Sequence, residues 1–329
     1  MIRLGLQIPN FTFPGVAPDQ LFEAVSTLAV TGEQSGFDSI WVMDHFYQLP
    51  LLGAPDAAMF EAYTLLGALA ARTTTARLGT LVTGVTYRNP AELAKEVTTL
   101  DVISQGRAVL GIGAAWHDVE HEALGFDFPP VGERMDRLEE ALVICRAMFR
   151  GERPTFNGRY YRVKEAINSP APIQPGGPPI LIGGGGEKRT LKLVAQHADA
   201  LNVIAGRDEL PHKLEVLTKH CADVGRDPAT INKTWLTTAM VGASEADAAA
   251  LRDGMVRRMG IDSWSALDEA TQSMFGQRLV VGTPASVADQ IASIIAVGLD
   301  GVILNFPANG SDADAIGEAG RAIRATLGA

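Results

Sequence analysis

Short apolar runs alternate along this chain with longer amphipathic segments, and the alternation predicts its fold. Runs rich in β-branched residues predict eight strands, at residues 2–8, 39–43, 77–83, 108–112, 179–183, 200–204, 234–241 and 301–305. Helical spacing of apolar positions predicts helices at residues 19–35, 60–71, 91–104, 131–149, 187–197, 209–224, 245–259 and 284–297. Because strands separated by helices pair in parallel through βαβ units, the pattern indicates an α/β protein.

Eight such units in 329 residues favour a closed (β/α)8 TIM barrel with insertions over a doubly wound open sheet. The first predicted strand also lacks the following Gly-x-Gly-x-x-Gly turn of a dinucleotide-binding sheet. We expect one domain over residues 1–329. An insertion at about 151–178 carries Asn157-Gly158 between aromatic residues, which predicts a hairpin. A second excursion, at about 260–282, is predicted to be irregular.

Composition narrows the function classes. The net charge of −10 argues against nucleic acid as a partner, because phosphate contacts require a basic surface. No apolar run is long enough to span a bilayer and no secretory signal pattern is present, so we expect a cytoplasmic protein without a membrane partner. Cys145 and Cys221 are expected to be buried, reduced thiols.

Four consecutive glycines, residues 183–186, end the fifth predicted strand and lead into a predicted helix. Glycine lets backbone N–H groups approach a phosphate closely, and a helix N-terminus favours the negative charge. The alternative is a turn that only needs positive φ, for which one or two glycines usually suffice. We therefore predict a phosphate-bearing ligand at this turn.

Other distinctive residues follow neighbouring strands. Loops after barrel strands gather at one mouth, where active sites lie. Asp44 and His45 follow the second strand; His45 is suited to proton transfer, although a helix cap and a surface histidine explain the pair equally well. Aromatic residues near these loops could form apolar walls for a flat ring: Trp116, Phe11, Phe13, Phe46 and Trp41. For Trp41, which lies within its strand, we favour core packing.

The segment from His117 to His121 spells H-x-x-E-H, a motif of some zinc proteases. On a helix, His117 and His121 would share a face and could bind zinc. Short motifs of this kind arise easily by chance, and no third ligand is evident in the sequence. We therefore predict no metal site.

Several blocks together resemble the bacterial-luciferase-like superfamily, in particular its coenzyme F420-dependent oxidoreductases from actinobacteria. The resemblance covers nearly the whole chain and lies in residues 36–46, 77–83, 87–91, 100–107, 111–116, 133–140, 179–202 and 281–284. It implies a TIM barrel that holds a flavin-like ring at its C-terminal mouth. It is more specific for the superfamily than for the cofactor.

The resemblance also assigns roles to residues. His45 would face the reacting carbon, Asp44 would contact the cofactor, and a non-proline cis peptide at Leu81-Val82 would support the ring. The full set of implied cofactor-binding residues is Asp44, Leu81, Val82, Thr83, Ala114, Ala115, Trp116, Gly184, Gly185 and Gly186. Basic residues suited to the anionic F420 tail, each equally explicable as solvated surface, are Arg159, Arg162, Lys164, Lys188 and Arg189.

One departure from the family affects the substrate. A related sugar-phosphate dehydrogenase has a glutamate after the fourth strand, where this chain has Trp116, and its phosphate-binding basic residues have no counterpart that can be placed here. We therefore expect hydride transfer from reduced F420 to a small apolar or conjugated substrate. The resemblance also implies a homodimer. The alternatives are an FMN-dependent monooxygenase that uses O2 and a flavin-binding protein without catalysis.

Overall fold

Eight parallel strands close into a barrel in the computed structural model, which describes residues 3–258 and 260–328. In chain order the strands are β1 (Leu4–Ile8), β2 (Ser39–Val42), β3 (Arg77–Thr80), β4 (Thr83–Gly84), β5 (Ala108–Gly113), β6 (Phe156–Asn157), β7 (Arg162–Val163), β8 (Ile180–Gly184), β9 (Ala200–Val203), β10 (Asn232–Val241), β11 (Leu279–Gly282) and β12 (Gly301–Asn305). The ring runs β1-β2-β3-β5-β8-β9-β10-β12 and closes where Leu6 of β1 pairs with Leu304 of β12. The predicted TIM barrel is confirmed.

Helices pack around the barrel. They are α1 (Leu21–Gln34), α2 (Ala62–Ala70), α3 (Pro90–Ile103), α4 (Asp118–Leu124), α5 (Val131–Phe149), α6 (Thr190–His197), α7 (Leu210–Asp223), α8 (Glu245–Arg257), α9 (Glu269–Gly276), α10 (Pro284–Ile295) and α11 (Ala313–Thr326). The sequence pattern did not predict α4, α9 or α11. Ile2 and Met259, where a predicted strand began and a predicted helix ended, lie outside the described residues.

The barrel interior is filled by a small apolar cluster. It consists of Trp41, Val109, Leu181, Ala200 and Ile303, all buried, one from each of five strands. Trp41 is fully buried and its indole N–H donates to Ser39 Oγ at 3.0 Å, so its interpretation as a core residue is correct. One larger cluster lies between the strands and the helices, which explains why the strands read as continuous apolar runs.

Phe11 and Phe13 are also core residues. Both are buried, and the Phe11 ring packs on Phe60 with centroids 5.2 Å apart. The interpretation of these two as walls of a ligand site is therefore wrong. They belong to the large apolar cluster between the strands and the helices.

The first insertion contains the predicted hairpin, formed by antiparallel β6 and β7. Glu140 on α5 fixes it by accepting the backbone N–H groups of Arg159, Tyr160 and Tyr161 at 2.7–3.1 Å. The Tyr161 hydroxyl donates to the carbonyl of Val85 at 3.1 Å. These bonds attach the insertion to the barrel near the end of β4.

The second excursion, which was expected to be irregular, contains regular elements. It contains α9, capped by Asp268, which accepts the Thr271 N–H at 2.9 Å, and β11, which pairs in parallel with the outer half of β10. Helix α9 buries none of its residues and β11 buries only two of its four, so neither shows the continuous apolar face by which the other elements were predicted.

The thiols of Cys145 and Cys221 are free and buried, as expected. Burial raises the pKa of Cys145 to about 12, which makes this thiol unreactive at neutral pH. None of the helices in the described part of the chain is long and apolar enough to cross a bilayer.

Candidate active site

The predicted site residues gather at the mouth formed by the C-terminal ends of the strands. Asp44 and His45 follow β2, and Leu81 and Val82 connect β3 to β4. The remaining predicted residues also lie at strand ends: Thr83 begins β4, Ala114, Ala115 and Trp116 follow β5, and Gly184, Gly185 and Gly186 end or follow β8. The shared location predicted from the strand pattern therefore holds.

His45 forms a short hydrogen bond with a buried carboxyl group at this mouth. Its Nδ1 lies 2.6 Å from Oε1 of Glu120, a fully buried residue of α4. The hydroxyl of Tyr87 donates to the same Oε1, while Oε2 accepts the backbone N–H groups of Phe46 at 2.8 Å and Tyr47 at 3.3 Å. Burial alone would raise the pKa of Glu120, but the bonds from His45 and Tyr87 lower it to about 2. Glu120 is therefore an ionised acceptor at neutral pH.

Aromatic rings flank the His45 imidazole. Trp116 stands edge-on to it with ring centroids 5.6 Å apart, and its side chain is 62% exposed. His117 lies at 5.7 Å in a similar edge-on arrangement. Phe46, the next residue along the chain, stacks on Phe126 with ring centroids 5.6 Å apart. The mouth thus offers an exposed indole and an imidazole side by side, which suits a flat conjugated ligand.

Asp44 is buried and ion-paired. Both of its oxygens accept from Arg88, at 2.7 and 3.1 Å, and Arg88 also pairs with Glu61 at 2.7 Å and Glu96 at 3.0 Å. Burial raises the pKa of Asp44 to about 6, although Arg88 opposes the shift. The guanidinium also lies over the Tyr63 ring, 4.8 Å from its centroid. Arg88 therefore orients the carboxylate that the resemblance assigns to the cofactor.

The connection from β3 to β4 contains the expected non-proline cis peptide, at Leu81-Val82. The side chain of Val82 fits against two glycines of neighbouring strands. A Cβ atom added at Gly113 would lie 3.0 Å from Val82 Cγ2, and one added at Gly183 would lie 2.9 Å from Val82 Cγ1. Gly183, the first of the four consecutive glycines, thus makes room for a side chain.

The remaining glycines form an open turn. A Cβ atom at Gly185 would lie 2.1 Å from the carbonyl oxygen of Ile204, so this position requires glycine. Among the described residues, no hydrogen bond takes up the backbone N–H of Gly185 or Gly186. Helix α6 begins only at Thr190, after a separate turn, so the expected direct passage from glycines to helix is wrong. The free N–H groups still suit an anionic ligand.

The loop after β5 is held by Arg134. Its Nε donates to the Ala114 carbonyl at 3.0 Å, and its guanidinium lies 4.0 Å from the centroid of the Phe128 ring. Ala115 adopts a φ of 60°, which is unusual for a residue other than glycine. This conformation turns the chain just before Trp116.

The basic residues predicted for an anionic tail differ in availability. Arg189 is engaged by Asp136 at 2.6 Å and by the carbonyl of Gly132 at 3.0 Å. Arg159 lies over the Tyr160 ring at 5.2 Å, on the exposed hairpin. Exposed side chains are also found at Arg162, Lys164 and Lys188.

The H-x-x-E-H segment forms α4, but its side chains have other partners. Glu120 binds His45, and the two ring nitrogens of His121 lie 2.6 Å from the His117 carbonyl and 2.6 Å from Thr86 Oγ1. In residues 3–258 and 260–328, no group of three or more His, Cys, Asp or Glu side chains is arranged to hold a metal ion.

Sequence reasoning missed Glu120, Tyr87 and Arg88 as site residues. A signal for each was present, since Glu120 is the acid of the H-x-x-E-H segment and the other two belong to a block that carries the resemblance. Glu120 lies 75 residues from its partner His45, Arg88 lies 44 residues from Asp44, and Tyr87 lies 33 residues from Glu120. Local spacing cannot reveal contacts of that range.

The cradle of glycines and the exposed indole at the mouth fit a flat cofactor that carries a phosphate. Comparisons with known proteins point in the same direction. The F420-dependent glucose-6-phosphate dehydrogenase of Microbacterium testaceum is 36% identical over 210 residues, 63% of this chain and 58% of the relative. The F420-dependent hydroxymycolic acid dehydrogenase of Mycobacterium tuberculosis is 33% identical over 225 residues, 68% of this chain and 60% of the relative. The chain thus spans less than two thirds of the length of these curated relatives.

Solved structures share the fold. An F420-dependent secondary alcohol dehydrogenase in complex with an F420–acetone adduct superimposes with a TM-score of 0.78 at 22% identity, over 98% of this chain and 99% of that one. The family model for luciferase-like monooxygenases matches residues 2–301. The chain therefore belongs to the luciferase-like monooxygenase family.

Proposed function

We propose that this protein is an F420-dependent oxidoreductase that transfers a hydride between the deazaflavin and a small organic substrate. The observation that carries the proposal is the His45–Glu120 pair, which lies beside the exposed Trp116 at the barrel mouth. The F420-dependent relatives favour F420 over FMN. When bound, reduced F420 would supply the hydride.

The chain's own residues would hold the cofactor and manage the proton. The free N–H groups of Gly185 and Gly186 would bind the phosphate, and Val82 would support the ring. His45 would exchange a proton with the substrate through Nε2, because Nδ1 is bonded to the ionised carboxylate of Glu120.

The rim of the mouth supports an apolar or conjugated substrate. Exposed apolar side chains follow three strands that end there: Leu51 after β2, Trp116 and Val119 after β5, and Ile204 after β9. A substrate with large apolar surface gains from covering them. A sugar phosphate would not, and the position where the related dehydrogenase has its glutamate holds Trp116.

A parallel binding titration tests the cofactor. F420 and FMN are added separately to the purified protein, and quenching of tryptophan fluorescence is measured. We expect saturable quenching by F420, reduced in Trp116→Phe, because Trp41 and Trp235 are buried and Trp264 is half-buried against Arg252. Tight binding of FMN without binding of F420 would contradict the proposal and favour a monooxygenase that needs reduced FMN and O2.

Turnover separates an enzyme from a binding protein. Reduced F420 is incubated with a panel of conjugated carbonyl compounds, and its substrate-dependent oxidation is followed by absorbance. Binding of F420 without oxidation by any of these compounds would favour a protein with no catalysis of its own. The homodimer and the cytoplasmic location expected from the sequence are also proposals, open to sedimentation analysis and cell fractionation.

A further inference from the structure

We infer that Glu120 is a positioning residue, which holds neutral His45 as the tautomer protonated at Nδ1 and leaves Nε2 to exchange the proton of the reaction. The role in turnover rests on the proposed function. The tautomer itself follows from contacts that are present without any ligand, so it can be tested separately.

The first step is the direction of the hydrogen bond. A carboxylate can only accept, so the 2.6 Å contact between Glu120 Oε1 and His45 Nδ1 requires a proton on Nδ1. Burial, reinforced by Glu120, raises the pKa of Tyr87, which therefore stays a neutral donor to the same oxygen. Every group facing this carboxylate thus donates to it.

The proton that His45 gives to the substrate comes from Nε2. In the imidazolium both ring nitrogens carry a proton. When the N–H bond at Nε2 breaks, its proton forms a bond to the substrate atom that takes up negative charge as the hydride arrives. The ring returns to the neutral tautomer that Glu120 favours, and Nδ1 keeps its bond throughout. Fixing the ring in this way keeps one nitrogen available and the other occupied.

Glu120→Gln should reverse the hydrogen bond to His45. Oε2 accepts the backbone N–H groups of Phe46 and Tyr47, so the amide oxygen of glutamine must lie there. Its NH2 group then takes the place of Oε1 and faces His45 Nδ1. Because NH2 donates, Nδ1 must give up its proton, and neutral His45 switches to the tautomer protonated at Nε2.

Long-range 1H–15N correlation spectra of histidine-labelled protein read the tautomer without cofactor. Spectra are recorded near pH 9, about 2.5 units above the ordinary histidine pKa. The signals of His45 are identified as those that disappear in His45→Gln. We expect a protonated Nδ1 in the native protein and a protonated Nε2 in Glu120→Gln. Glu122→Gln, the same change at an exposed position of α4, should match the native protein.

Two results would overturn the inference: a protonated Nε2 in the native protein, or a protonated Nδ1 retained in Glu120→Gln. The first needs no variant, so it decides the question even if Glu120→Gln does not fold. With a substrate in hand, Glu120→Gln should lower kcat by about 10²-fold or more with little change in cofactor affinity. If F420 does not bind but the tautomer is as expected, the proposed function fails and the inference about the ring stands.

Discussion

Removing the charge of Glu120 should change stability in a pH-dependent way. Its pKa is lowered from 4.5 to about 2 in the folded protein, because bonds from His45 and Tyr87 outweigh burial. At 1.36 kcal/mol per pKa unit, the ionised carboxylate contributes about 3 kcal/mol. A lowered pKa means that this contribution is complete above pH 4.5 and is lost as the pH falls towards 2.

Urea unfolding of the native protein and of Glu120→Gln at two pH values measures this contribution. The difference in unfolding free energy between them should shrink by about 2 kcal/mol from pH 5 to pH 3. Both pH values lie below the ordinary histidine pKa, so protonation of the His45 ring, which differs between the two proteins because His45 bonds to Glu120, falls outside this window. Glu122→Gln, exposed on the same helix, should stay within about 0.5 kcal/mol of the native protein. A difference that does not change with pH would refute the argument.

Three further predictions concern the glycine turn, the Asp44 ion pair and His45. Gly185→Ala places a methyl group 2.1 Å from a backbone oxygen and should lower the free energy of unfolding, measured by thermal unfolding, by about 1–3 kcal/mol. Gly132→Ala, in open space on α5, should leave the protein as stable as before, and equal effects of the two changes would contradict the steric argument. Arg88→Met leaves the buried Asp44 carboxylate unpaired and should lower the free energy of unfolding by about 3–5 kcal/mol. Adding Asp44→Asn to the same chain should restore part of that loss, and a double variant as unstable as Arg88→Met alone would count against the pairing. His45→Ala should lower turnover by about 10²-fold or more while the F420 dissociation constant, from the fluorescence titration, changes far less; equal losses in both would exclude proton transfer by this residue.

The strands were predictable because of where they lie. A strand buried on both faces needs apolar residues at every position, so runs such as Val302-Ile303-Leu304 stand out without any alignment. The helices that were missed are of two kinds. Helices α4 and α9 bury no apolar residue, so they lack the apolar face that a helical period requires. Helix α11 follows the last predicted strand, so no later strand marked it as a connecting helix.

The site was predictable only in its location. Strand ends indicated the mouth, and with it His45 and Trp116, because topology brings those loops together. The partners of these residues depend on tertiary contacts. Glu120 looked like one third of a zinc motif because its spacing to two histidines is local, whereas its bond to His45 joins α4 to the loop after β2. Arg88 likewise lay in a turn with no local sign of the carboxylates that surround it.

The packing of Val82 against Gly113 and Gly183 has an evolutionary consequence. Three positions far apart in the sequence share one small volume, so substitutions there should be correlated among related chains. A relative with alanine or glycine at position 82 gains space for a methyl group at position 113 or 183, whereas a relative with valine does not. A relative that lacks glycine at 183 can therefore still keep the turn at 185 and 186 that we propose binds an anion.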